Sequence, residues 1–368
     1  MKLADLPTPS LVLDRRKLER NLKGMASALA KHRVNLRPHM KTAKSIDVAR
    51  LALEGQPGGI TVSTLAEARY FAEHGIGDMV YAVGITPRKL DEVARLNASG
   101  AAVKVITDDP AVAEAIAAHP GGIEALVEVD SGEHRGGMAP GDSRVLEVAA
   151  RLGSRLAGIM THGGHSYAGR FIDELAKVAE EERAAVVGAA ERLRGAGHRV
   201  GIVSMGSSPT ALHAEHLDGV TEVRAGVYMF GDLFQSEIFT HERDDIAVTV
   251  LASVIGLREQ EHCFLIDAGG LALSKDRSTQ AAPIDYGFGL VLASDGTPRH
   301  GRSVVRSAYQ EHGVVDCDPG LPFPMLRVGD LVRVAPNHVC MTAAAYDRYH
   351  VVAGSDVVVA EWDRVNGW

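Results

Sequence analysis

Cysteine is scarce in this chain: Cys263, Cys317 and Cys340 are the only three in 368 residues, an odd and widely spaced set. No disulfide framework can be built from them, and the sequence reads as one for a reducing, cytoplasmic compartment. Aromatic residues reach only 5%, and positive charge is outnumbered, with a net charge of -8 and a sequence pI near 6.1. Neither a basic run nor an aromatic stripe is present, so nucleic-acid binding is excluded as a working hypothesis. Nowhere do about 18 apolar residues follow one another, and no membrane span is predicted. The first thirteen residues carry a proline pair and no long apolar core, so no export signal is expected either. What the chain does have is length and a hydrophobic content of 46%, enough for one large barrel or two domains.

Ser10 to Leu13 reads as a short strand, and Asp14 as the N-cap of a helix running to about Lys31. Eight short apolar, β-branched runs then alternate with helix-sized segments. They are Val34 to Arg37, Ile60 to Ser63, Met79 to Val83, Val103 to Thr107, Ala125 to Asp130, Leu156 to Thr161, Val200 to Ser204 and Val223 to Met229. This pattern fits a (β/α)8 barrel, of about 250 residues in typical cases, and periodicity alone leaves an open doubly wound sheet as the alternative. The longest helical pattern, Phe171 to Arg194, carries Glu180, Glu181 and Glu182 before Arg183, and these acids read as a solvated face. From about Ile246 the texture becomes β-rich, with strands expected over Val248 to Leu257, His262 to Asp267, Leu331 to Pro336 and His350 to Val359. The expected division is therefore a barrel over residues 14–240 and a mainly β domain over residues 241–368. Apart from the β/α alternation, no internal repeat is visible.

Lys41, in Pro38, His39, Met40, Lys41, Thr42, stands where the first of the eight runs ends and an amphipathic segment with Ile46, Ala49, Leu51 and Leu53 begins. Parallel α/β proteins place their chemistry at strand C-terminal ends. A lysine desolvated there by apolar neighbours can join an aldehyde cofactor or a carbonyl substrate as a Schiff base. A surface lysine with a solvated head is the plainer reading of the same spacing.

The motif Pro38, His39, Met40, Lys41, Thr42 resembles the cofactor-lysine segment of the D-serine dehydratase and D-threonine aldolase family. Leu6 to Ser10, Val127 to Asp130 and Pro336 to Cys340 carry the likeness along nearly the whole chain. The resemblance implies a (β/α)8 TIM-like barrel of the alanine-racemase type and a second, mainly β domain into which residues 1–13 return. It also implies pyridoxal phosphate on Lys41 and a homodimer.

Other clusters follow the predicted strand ends. Thr161 to Tyr167 combines His162, His165 and Tyr167 around a glycine pair; the imidazoles are open to metal, cofactor, substrate or merely structural roles. The family likeness puts Tyr167 near the cofactor ring. Gly206, Ser207 and Ser208 follow the seventh run, where barrels often hold phosphate, and Gly226 and Tyr228 follow the eighth. A buried tyrosine at the rim is the bland reading of Tyr228. Arg135 is either a carboxylate clamp or the partner of Glu128, Asp130 or Glu133. Asp267 to Gly270 and Tyr309 to Gly313, with His312, look like family signatures without a legible chemical role.

His338 and Cys340 sit two apart and on a strand would face the same way. An imidazole and a thiolate can grip one divalent cation, and the thiolate favours zinc. Two ligands leave positions for water, substrate or a third group. In the dehydratase branch a histidine and cysteine here hold zinc, whereas the aldolases tend to carry aspartate in place of Cys340. The expected activity is thus a pyridoxal-phosphate- and metal-dependent lyase on D-3-hydroxy amino acids, eliminating water to give a 2-oxo acid and ammonia. The alternatives are retro-aldol cleavage to glycine and an aldehyde, and a non-catalytic pyridoxal-phosphate carrier, against which the β-rich third argues.

Overall fold

The computed structural model describes residues 1–368, arranged as two compact units. One comprises Met1–Lys23 with Val227–Arg364, the other Gly24–Gly226 with Val365–Trp368. A first strand, β1 (Ser10–Asp14), leads into the helix Arg15–Ala30, whose first turn is capped by Asp14 accepting the Arg16 amide at 2.9 Å.

The second of these units is a parallel barrel. Its strands are β2 (Asn35–Pro38), β3 (Ile60–Val62), β4 (Asp78–Gly84), β5 (Ala102–Thr107), β6 (Ala125–Glu128), β7 (Leu156–Met160), β8 (Ile202–Met205) and β9 (Glu222–Ala225). They pair in the order β2-β9-β8-β7-β6-β5-β4-β3. A bridge between His39 and Thr61, with the Met40 amide 2.8 Å from the Thr61 carbonyl, brings β2 to β3 and closes the ring. All eight runs expected from the sequence are strands. The eighth is shorter than expected: it ends at Ala225, and Val227–Met229 forms a 3-10 turn. A Cβ at Gly226 would lie 2.8 Å from the His39 carbonyl, so the chain turns there on a residue without one.

Part of the barrel interior is ionic rather than branched and apolar. Buried Arg37 on β2 pairs with Glu222 on β9 at 2.8 Å and with Asp78 on β4 at 2.9 Å, while Lys104 on β5 reaches Asp78 at 3.1 Å. Burial opposes the Arg37 charge, and the two carboxylates outweigh that cost and raise its pKa.

The other unit is an antiparallel sheet. Its strands are β1, β10 (Val248–Arg258), β11 (Cys263–Ile266), β12 (Leu290–Ala293), β13 (Val304–Ala308), β14 (Gly313–Asp316), β15 (Leu331–Ala335), β16 (Arg348–Val352) and β17 (Val358–Asp363). Because β10 pairs with both β15 and β11, six strands close on themselves, and β1, β16 and β17 extend the sheet. The run His350 to Val359, expected as one strand, is a hairpin that turns through Gly354 at φ 73°. Strands β12 to β14 had no counterpart in the sequence reading, since each is only four or five residues long and Arg306 and Ser307 interrupt β13.

Candidate active site

At the end of β2 the chain makes a turn whose Met40, Thr42 and Ala43 are fully buried, leaving Lys41 exposed between them. Lys41 is thus exposed and not enclosed by apolar neighbours, and its charge acts on the imidazoles of His39 and His162. The nearby Lys44, by contrast, is committed. Its φ is 50°, and its Nζ lies 2.9 Å from Oε1 of the wholly buried Glu67. Of the two lysines, Lys41 is the one whose amine stands outside any ion pair.

Burial, then the charges of Lys41 and Arg224, hold His39 well below the usual imidazole range. Burial, followed by Lys41 and Arg135, brings His162 down to about 3. His162 Nδ1 donates to the Gly206 carbonyl at 2.8 Å, which leaves Nε2 unprotonated. The stability linkage has a definite sign: the unfolded chain takes up a proton below the unperturbed value of 6.5, and the folded chain does not until about 3. Stability accordingly falls as pH drops from 6.5, by at most about 1.4 kcal/mol per unit, an upper limit because the ring edge meets solvent. His162→Gln should flatten the decline in urea midpoint between pH 6.5 and 5. Parallel pH profiles for the two proteins would exclude this assignment.

The loop after β8 is shaped by its own side chains. Gly206 has φ 130°, and a Cβ there would stand 2.4 Å from the Arg224 carbonyl. Ser207 and Ser208 are buried. The Ser207 amide donates to Thr210 Oγ1 at 3.0 Å and the Gly206 amide to Glu182 Oε1 at 2.7 Å, so these two N–H groups point into the protein and not out of the loop. Tyr167 lies half-buried in the 3-10 turn Gly164–Ala168. Tyr228 is 1% exposed, and burial pushes its phenol pKa up, so it is a protonated donor. Arg135 pairs with Glu133 at 3.2 Å.

Two residues of this site were missed in the sequence. Arg224, in the middle of β9, donates to Ser204 Oγ at 2.5 Å and to the Thr161 carbonyl. Glu182 was assigned to a solvated face with Glu180 and Glu181, yet it is wholly buried. Its spacing from Leu175, Ala179, Val186, Ala189 and Leu193, all buried along the helix Ile172–Gly195, was the signal.

In the antiparallel unit, His338 and Cys340 are not on a strand. β15 ends at Ala335, and His338 is the N-cap of the short helix Val339–Ala343, started where buried Asp232 accepts the Val339 amide at 3.0 Å. The turn, instead of strand alternation, brings imidazole and thiol into hydrogen-bonding contact. His338 Nδ1 lies 2.9 Å from Asp276 Oδ2, and Asp276 Oδ1 accepts the Ser278 amide at 2.7 Å. Burial opposes the His338 charge, but Asp276 and Cys340 outweigh it and raise its pKa to about 11; hydrogen bonding to His338 takes Asp276 down to about 2. Just before Asp276, Ser274 adopts φ 69° and ψ 170°, a conformation that strains any residue with a Cβ. Nowhere are three or more His, Cys, Asp or Glu side chains grouped to hold a cation. The donor set here is therefore one nitrogen and one sulfur, with Asp276 behind the imidazole, an arrangement that orients a metal-binding histidine. Asp276→Asn should weaken zinc binding about 10- to 100-fold; unchanged affinity by calorimetric titration would exclude that role.

Residues 13–233 match the alanine racemase N-terminal domain, and residues 247–352 match a putative serine dehydratase domain. D-threo-3-hydroxyaspartate dehydratase of Delftia sp. (strain HT23) is 40% identical over 381 residues, covering 100% of this chain and 99% of the relative. D-threonine aldolase of Arthrobacter sp is 30% identical, covering 98% and 93%. The solved structure of a cysteine-to-alanine variant of D-threo-3-hydroxyaspartate dehydratase, in its metal-free form, superposes with a TM-score of 0.95 at 39% identity and covers both chains in full. A parallel barrel followed by an antiparallel domain thus has full-length counterparts, and the chain belongs to the D-serine dehydratase and D-threonine aldolase family of fold-type III pyridoxal-phosphate lyases.

Proposed function

We propose that this protein is a dehydratase of small D-3-hydroxy amino acids, with D-threo-3-hydroxyaspartate and D-serine as the first substrates to test. The observation that carries the reading is the contact of His338 with Cys340, backed by Asp276 at 2.9 Å. A soft N/S donor pair suits a zinc-type Lewis acid with open positions. Water elimination needs such help, because hydroxide is a poor leaving group.

The barrel residues supply the rest. Lys41 Nζ is the amine suited to hold the aldehyde of pyridoxal phosphate and, once released, to accept the substrate α-proton. Pyridoxal phosphate, when bound, supplies an electron sink for the charge left at Cα. His39 and His162 are neutral, so they crowd Lys41 with dipoles and not with full charges. Ser207, Ser208, Gly226 and Tyr228 are assigned to the cofactor phosphate, Tyr167 to the ring, and Gly206 to the turn between them.

The reading includes a homodimer, supported by the exposed apolar side chains of Leu271, Met325 and Val328 in the antiparallel unit, and light scattering checks it. It also includes the cytoplasm, supported by three free cysteines; no helix is long and apolar enough to cross a membrane.

Product analysis decides between dehydration and retro-aldol cleavage. From D-threo-3-hydroxyaspartate, D-serine or D-threonine, each accepted substrate should give ammonia and a 2-oxo acid in equal amounts. Glycine as the main product, with no ammonia, would make the protein an aldolase.

A further inference from the structure

Glu182 is the one wholly buried acid of the helix Ile172–Gly195, and nothing in the elimination chemistry uses it. Its carboxyl does not form an ion pair. Oε1 instead accepts two backbone amides from different loops, Gly163 after β7 at 2.6 Å and Gly206 after β8 at 2.7 Å. A Cβ on Gly163 would stand 2.7 Å from Oε2, so the loop approaches the carboxyl as closely as glycine allows. The same two loops meet again where His162, the residue before Gly163, donates to the Gly206 carbonyl at 2.8 Å, and where Ser166 and Ser207 hydroxyls lie 3.0 Å apart. Burial raises the pKa of this acid, and the Thr210 hydroxyl, the two backbone amides and the charge of Arg224 only partly offset that cost. A glutamine in an apolar helix stripe would serve as a plain spacer equally well, so the feature to be explained is the bifurcated acceptor oxygen and its reach.

We propose that Glu182 is a positioning residue for the cofactor phosphate: by tying Gly163 and Gly206 to one oxygen it holds the loops after β7 and β8 in the shape that presents Ser207 and Ser208. The inference rests on the assignment of the phosphate to the β8 loop and adds the residue that sets that loop's conformation.

The test separates the phosphate from the rest of the cofactor. Apo-protein is titrated with pyridoxal phosphate and with pyridoxal, which lacks the phosphate, and the ratio of the two dissociation constants isolates the phosphate contribution. Glu182→Gln keeps the acceptor oxygen and should leave the ratio within about 3-fold of the parent, whereas Glu182→Leu should reduce it at least about 30-fold while pyridoxal binds as before. A role in stability alone would lower the unfolding temperature and leave the ratio unchanged. If the leucine variant does not fold, Glu182→Asp, one methylene short of both amides, should reduce the ratio at least about 10-fold. A folded Leu or Asp variant with the parental ratio overturns the proposal, and so does a Gln variant that loses as much as the Leu variant. A Ser207→Ala, Ser208→Ala double variant shows which idea has failed. If it lowers the ratio and the Glu182 variants do not, only the positioning role falls; if none of them lowers it, the phosphate is held elsewhere.

Discussion

Lys41→Ala should lower turnover by at least about 10³-fold, because the group proposed to join the cofactor and accept the α-proton is removed in one step. The parent protein should be yellow and the variant colourless, and borohydride reduction of the parent followed by peptide mapping should place the label on Lys41. Lys44 is the informative control. Its amine is held 2.9 Å from a wholly buried carboxylate, and removing it strands Glu67 without its counter-charge. Lys44→Ala is therefore expected to cost roughly 3–5 kcal/mol of stability, while the label stays on Lys41. Label on Lys44 in the parent protein would sink the assignment, whatever the activities of the variants.

The second large effect is at the other centre. His338→Ala and Cys340→Ala should each reduce bound zinc from about one per chain to less than about one tenth. Turnover should drop by about 10²–10⁴-fold, the several kcal/mol that a Lewis acid contributes to a poor leaving group. Pyridoxal phosphate should remain bound in both variants, because Lys41 and the phosphate loops are untouched. Full zinc content in the Cys340→Ala protein would remove the claim that the thiol is a ligand.

The barrel was legible because a parallel strand buried on both faces leaves a continuous branched run, and eight such runs at regular intervals survive without any knowledge of their pairing. Lys41 became a candidate for a related reason: a strand end followed by an amphipathic helix marks the catalytic face of an α/β barrel whatever the order of strands. Less was visible in the antiparallel unit, where strands such as β12 (Leu290–Ala293) are only four residues long, and pairing energy comes from partners far away in sequence.

Three things were decided only by the tertiary structure. Lys44 became structural because Glu67, more than twenty residues on, was brought under it. His338 and Cys340 met through a helical turn that starts where Asp232 captures the Val339 amide, and Asp276, sixty-two residues before His338, closed on the imidazole. Glu182 turned from a charge in an acidic run into a buried acceptor because Gly163 and Gly206 came to it from two different loops. Periodicity records how a residue relates to its own helix or strand, and that is what the chain by itself determined here: the barrel and the place of its candidate lysine. Which carboxylate faces which amide or imidazole depends on distances across the fold, which no local spacing encodes.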